Sequence, residues 1–235
     1  MPRWLLVLLA LCAQAFCHVR VVGNLAIVAR PIGHAGTEAA PLQSMIGDLW
    51  CGIEKVGEPV PIEHAEFTRL KDGKTFEAKI KDNKAKLHFG KSPATVAGKY
   101  MCEVRSAEGE QLKGNLIVYS PPFLRLKTGS IFYEVPGARP PKVVGGVKKA
   151  ARGGRIELLC PVLGYPQPFV RWEKDGKPIE SDTIEYDGDN LILTSVESSM
   201  NGVYTCIADN SFPMFVDGPA MPYQLKYDQE VMVEA

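Results

Sequence analysis

The stretch Met200-Asn201-Gly202-Val203-Tyr204-Thr205-Cys206-Ile207-Ala208-Asp209-Asn210 decides the fold, because its tyrosine–x–cysteine core has an earlier echo at Tyr100-Met101-Cys102. Cys102 follows Cys51 by 51 residues, and Cys206 follows Cys160 by 46. Trp172 stands twelve residues after Cys160. Cysteines at this spacing suit strands on two facing sheets about 10 Å apart, with the indole packed on the bridge. The tyrosine two residues before the second cysteine can return its hydroxyl to the backbone and lock the preceding corner. A framework of this kind points to recognition rather than catalysis.

A second phrase repeats with it. Lys71-Asp72-Gly73-Lys74 recurs as Lys174-Asp175-Gly176-Lys177, and Asp-Gly signals a hairpin turn because its glycine tolerates positive φ. From the turn glycine to the final cysteine is 29 residues in one copy and 30 in the other, which marks an internal duplication. The expected fold is all-β: two tandem immunoglobulin-like sandwiches of I-set or C2-like type. In the second copy Ile156, Leu158, Cys160 and Val162 alternate as one strand. Val170 with Trp172, Leu191 with Leu193, and Tyr223, Leu225 and Tyr227 supply others. In the first copy Leu49, Cys51 and Ile53 match, Phe76, Ala78 and Ile80 alternate, and Leu87 and Phe89 answer Leu191 and Leu193. Aligning the two turns places Arg69 where Trp172 stands. Phe67, Leu70 or Trp50 then has to cover the first bridge, with a shifted strand or a pocket open to solvent. Val96 and Met200 occupy the position where such domains usually carry an aspartate.

The chain of 235 residues has a formal net charge of zero, so nothing in its balance suggests nucleic acid as a partner. Met1-Pro2-Arg3, the apolar run to Cys12 and the small residues ending in Ala13-Gln14-Ala15 read as a cleavable signal peptide, residues 1–17. Cleavage after Ala15 and after Cys17 both fit, and the second places Ala15 at −3. Later segments are too short and polar to cross a bilayer, so no membrane insertion is expected and the product should be secreted. Of six cysteines, four remain after cleavage at Cys17; they allow three pairings, and the repeat selects Cys51–Cys102 and Cys160–Cys206. The expected domains are residues 18–120 and 140–235, joined by 121–139.

The connection Pro121-Pro122, then Pro136-Gly137-Ala138-Arg139-Pro140, followed by Cys160 and Tyr204 to Asn210, resembles the secreted two-immunoglobulin-domain proteins of invertebrates. These include the zwei-Ig proteins of nematodes and an insect protein that binds insulin-like peptides. The resemblance implies an extracellular or cell-surface protein partner, and a role in keeping neurons and axons in position or in sequestering an insulin-like hormone. It carries over no binding residue.

Candidate contact surfaces come from charge and apolar content. Residues 121–155 hold eight cations against Glu134, and Lys142, Lys148, Lys149, Arg152 and Arg155 are candidates for a heparan-type glycan. From Glu180 onward there are eleven acids and only Lys226, a separation of charge that would favour salt-sensitive head-to-tail association in a matrix component. Phe123, Leu126 and Phe132 in the connection, and Phe212 and Phe215 in a late loop, are candidate protein contacts. The alternative for all five is packing onto a core. Trp172, Tyr100 and Tyr204 are expected in the core itself. No catalytic, metal or cofactor residues are assigned: the four histidines have no ligand spacing, and there is no nucleophile elbow or phosphate loop.

Overall fold

A computed structural model describes residues 19–179, 184–213 and 218–234; the signal segment and Phe215 lie outside them. The described residues form strands and two short 3-10 turns, Ala94–Val96 and Ser198–Met200. The chain divides into two compact units. The first comprises residues up to 27 with 47–90 and 98–118, and the second comprises 28–46, 91–97 and 119–235.

The first unit is a sandwich. One sheet orders Val19–Gly23, Leu49–Lys55, Lys84–Leu87 and Lys79–Lys81, with Glu58–Val60 also paired to Leu49–Lys55. The facing sheet orders residues 111–118 of the strand Gln111–Leu126, then Gly98–Ser106, Ile62–Arg69 and Lys74–Glu77. Cys51 and Cys102 join the sheets with 6.7 Å between their Cα atoms. Leu49, Ile53, Phe67, Ala85, Tyr100, Val104 and Leu116 fill the space between, each essentially inaccessible. The Phe76–Ile80 alternation does not make one strand. Lys74–Glu77 joins one sheet and Lys79–Lys81 the other, with Ala78 at the change.

In the second unit, Ile156–Leu158, Asn190–Leu193 and Ile184–Asp187 form a three-stranded sheet. It faces a larger one ordered Phe132–Glu134, Lys142–Gly145, Ala220–Glu234, Gly202–Pro213, Phe169–Lys174 and Lys177–Pro178; Lys148–Ala151 also pairs with Ala220–Glu234. Cys160 and Cys206 bridge the layers at 6.1 Å between Cα atoms. The run from Ile156 to Val162 keeps its inward alternation but leaves the small sheet after Leu158, and Pro161 beyond it has no N–H for a ladder. Val162–Tyr165 then pairs with Ser120 to Leu124.

The repeated turn folds differently in the two copies. In the second, Lys174 pairs with Lys177 across a two-residue turn whose Asp175 and Gly176 have φ of 49° and 77°. In the first, Arg69 pairs with Lys74 across four residues, and the Gly73 N–H donates to the Arg69 carbonyl at 2.9 Å. The strand is therefore offset by two residues. Phe67, not Arg69, lies opposite Cys102, as Trp172 lies opposite Cys206. Phe67 covers the first bridge, whereas Leu70 is exposed. Arg69 donates to Asp72 at 2.9 Å and hydrogen-bonds the Tyr100 hydroxyl, so its charge is paired. That Arg69 hydrogen bond is the main cause holding the Asp72 carboxyl down at about 2.

Candidate functional site

Tyr100, Trp172 and Tyr204 are buried. Tyr204 is 1% exposed, and its hydroxyl donates to the Met200 carbonyl at 3.0 Å, so Met200 serves the corner through its backbone. Burial, then the Asp175 charge, push the Tyr204 phenol up to about 12. Trp172 donates from its indole to the Asp189 carbonyl at 3.0 Å.

The contact candidates separate. Phe123 lies in a buried cluster with Leu42 and Ala94, and Leu126 in the main core of the second unit. Phe212 is 1% exposed, with its ring stacked between Tyr119 at 4.9 Å and Tyr223 at 4.2 Å. Phe132 packs against the main core. Phe123, Leu126 and Phe212 are interior and Phe132 is half-buried against the core, because the strands that carry them turn them inward; of the two readings given from sequence, packing holds for them and exposed contact is corrected. Their neighbours are exposed instead: Ile131 by 82% and Tyr133 by 61%. Alternation through Ile131-Phe132-Tyr133 held the signal, but sequence alone does not say which parity faces in.

Tyr133 belongs to the outer face of the larger sheet of the second unit. Phe132–Glu134 is its edge strand, and Tyr133 pairs with Val144 on the next strand. The middle of this face is covered by paired polar groups. Lys142 contacts Asp228 at 2.6 Å, and Asp228 accepts from the Thr205 hydroxyl at 2.8 Å. Arg171 pairs with Asp209, which also accepts from Gln224 at 2.7 Å. Ile207 points outward between them and has no exposed surface. At the far side Phe169 is 69% exposed. The face thus has a charge-neutralised centre flanked by apolar anchors, Ile131 and Tyr133 on one side and Phe169 on the other, which suits protein recognition.

The cationic candidates are partly neutralised by the same sheet. Lys142–Gly145 and Lys148–Ala151 run parallel to Ala220–Glu234, and this places Lys142 on Asp228 and Lys149 on Glu234 at 3.2 Å. Lys148, Arg152 and Arg155 are exposed. Basic and acidic runs far apart in sequence lie strand against strand, so two of the eight cations meet acids of the late segment within one unit.

A cleft of about 540 Å³ in the same unit is walled by Pro31, Pro121, Pro122, Pro140, Pro141 and Tyr223. At its rim the His34 ring meets Glu134 at 2.9 Å, while the His34 and Ala35 N–H groups donate to the same carboxylate. Burial pushes the Glu134 carboxyl up, but these bonds outweigh it and hold it below the usual range. The polar groups of the cleft are bonded to one another, which suits it to packing rather than proton transfer. Among the described residues no three His, Cys, Asp or Glu side chains gather as a metal site.

Residues 17–119 match the family described as zwei immunoglobulin domain protein, N-terminal, and residues 140–210 match an immunoglobulin domain family. The chain is 48% identical over 217 residues to the Caenorhabditis elegans zwei Ig domain protein zig-7, covering 92% of this chain and 91% of that one. It belongs to the zwei immunoglobulin domain family. A second zwei Ig domain protein of the same nematode, zig-1, is 30% identical, over 80% of this chain and 69% of its own length. Among solved structures the titin tandem immunoglobulin domains A164-A165 align with a TM-score of 0.50 at 16% identity, covering 93% of this chain and 98% of that one, a likeness of fold alone. A zwei Ig protein of this architecture is an extracellular-type binding protein and not an enzyme. No helix among its described residues is long and apolar enough to cross a membrane.

Proposed function

We propose that this zwei Ig protein is secreted and acts by binding a protein on the neuronal surface, in the service of keeping axons and cell bodies in position. The supporting observation is the outer face of the larger sheet in the second unit, where Ile131, Tyr133 and Phe169 stand exposed around neutralised charge pairs. Exposed aromatic anchors beside satisfied polar groups are the usual hot-spot arrangement. The neuronal role is what the family resemblance implies. Capture of an insulin-like hormone is the less favoured reading, because Phe123 and Leu126, the apolar groups of the connection that could have contacted it, are interior.

The test is affinity capture with the tagged mature protein from intact neuronal surfaces and from conditioned medium, repeated with the variant I131S/Y133S/F169S. A membrane protein captured by the parent and weakened on the order of 30-fold or more in the variant is the expected result. Equal capture by both would remove this face from the reading, and a small secreted hormone as the dominant ligand would replace neuronal binding with sequestration.

A further inference from the structure

The outer face of the other unit carries a different kind of surface. In the hairpin Lys79–Lys81 and Lys84–Leu87, Ala85 and Leu87 are buried, so Lys84 and Lys86 point outward. The register sets Lys79 opposite Lys86 and Lys81 opposite Lys84, and Lys86 opposite Trp50 on the neighbouring strand. Four ammonium groups therefore share one face with an indole. Their attachment points are about 7 Å apart along each strand and about 5 Å apart across the strands.

Like charges directly opposite each other weaken a sheet, and no carboxylate pairs with them among the described residues. Among the described residues none of the four lysines forms an ion pair. The acid further along this face, Glu54, is taken by Arg20 at 2.7 Å. The one attractive contact is Lys84 over the Trp50 ring, 4.3 Å from its centroid. The hairpin is held in this register by a two-residue turn, Asp82-Asn83, with φ of 53° and 55°, the conformation that matches strand twist.

We propose that this face, built by Trp50, Lys79, Lys81, Lys84 and Lys86, binds a sulfated glycosaminoglycan chain. Lys79, Lys81 and Lys84 are exposed, with Lys86 and Trp50 half-buried beside them, so the block suits a polymer lying across the strands. Lysine offers compact single-point contacts that match successive sulfate groups, whereas carboxylate-bearing protein surfaces are better met by the bidentate fork of arginine. Among the described residues the arginine on this face, Arg20, is already held by Glu54. The Trp50 indole holds the Lys84 ammonium on this face by a cation–π contact, which fixes one of the four charges in place. The site differs from the cationic run chosen from sequence, two of whose lysines are bound to acids of their own sheet.

The experiment uses the mature full-length protein on immobilised heparin and on desulfated heparin, across a salt series. Compared with it are K79Q/K81Q/K84Q/K86Q, the milder K79Q/K81Q, and the control K148Q/K149Q/R152Q/R155Q. Expected are retention of the parent at physiological salt and its loss on desulfated heparin. The slope of log affinity against log salt should fall by roughly 0.7 per lysine removed, about 3 for the quadruple variant and half that for the double, as for a flexible polyanion. Thermal midpoints should be unchanged or higher, because like-charge pairs are relieved, and the control should bind as the parent does. Parent-like binding by a folded quadruple variant, loss in the control instead, or retention only by vesicles containing phosphatidylserine would overturn the proposal. Protein capture by the second unit is read separately, so either proposal can fail while the other stands.

Discussion

Replacing Phe212 by alanine separates an interior ring from a contact residue. The ring is 1% exposed and lies nearly parallel to both neighbours, at 7° to Tyr119 and 12° to Tyr223. Truncating a buried phenylalanine costs about 3–5 kcal/mol, a range that includes the loss of both ring pairs, each worth about 0.5–1.5 kcal/mol beyond area. With a urea dependence near 2 kcal/mol per molar, a central loss of about 4 kcal/mol lowers the midpoint of the second unit by about 2 M. Of the three tryptophans, Trp4 lies in the signal segment, Trp50 in the first unit and Trp172 in the core of the second, so urea unfolding followed by fluorescence of residues 18–235 in a Trp50→Phe background reports the second unit alone. A midpoint that falls by less than about 0.5 M, together with loss of partner capture, would refute the interior assignment and restore Phe212 as a contact.

Tyr204→Phe should cost about 1 kcal/mol at neutral pH through the lost bond to the Met200 carbonyl. It should also flatten the alkaline limb. With the phenol raised from 10.0 to about 12, the stability it contributes is complete below pH 10 and is lost as pH rises to 12. The parent should then lose about 2–3 kcal/mol more than the variant over that window in parallel urea melts. Asn210→Ala should cost about 2–3 kcal/mol in the same assay, because Asn210 donates to the Ser120 carbonyl at 3.0 Å and the Pro166 carbonyl at 2.9 Å; a loss below 0.5 kcal/mol would show that water replaces it.

Much of the fold could be read along the chain. The cysteine pairs, the duplicated turn and the Trp172–Tyr204 core follow from spacing and alternation, since a period of two sets which side chains share a face. Alternation leaves open what lies on the other side. Phe132 and Tyr133 are adjacent aromatics of similar size, and only the hairpin with Lys142–Gly145 decides that the first is packed and the second exposed. The lysines of 79–86 went unremarked because their sequence is broken by Asp82, and only the register brings Lys79 to Lys86 and Lys81 to Lys84.

Covalent spacing and local periodicity are properties of the chain, and they specify two disulfide-tied β-sandwiches and the residues that fill them. Three other matters depend on the folded arrangement. It gave one Lys-Asp-Gly-Lys phrase a four-residue loop and the other a two-residue turn, which put Phe67 over the first bridge and freed Arg69 for Asp72. It buried Phe123, Leu126 and Phe212 under partners from distant segments. It also chose which cations meet acids, pairing Lys142 with Asp228 while leaving Lys79, Lys81, Lys84 and Lys86 of the first unit without an ion pair among the described residues. Burial and charge compensation depend on neighbours in space, and those neighbours come from strands tens of residues away.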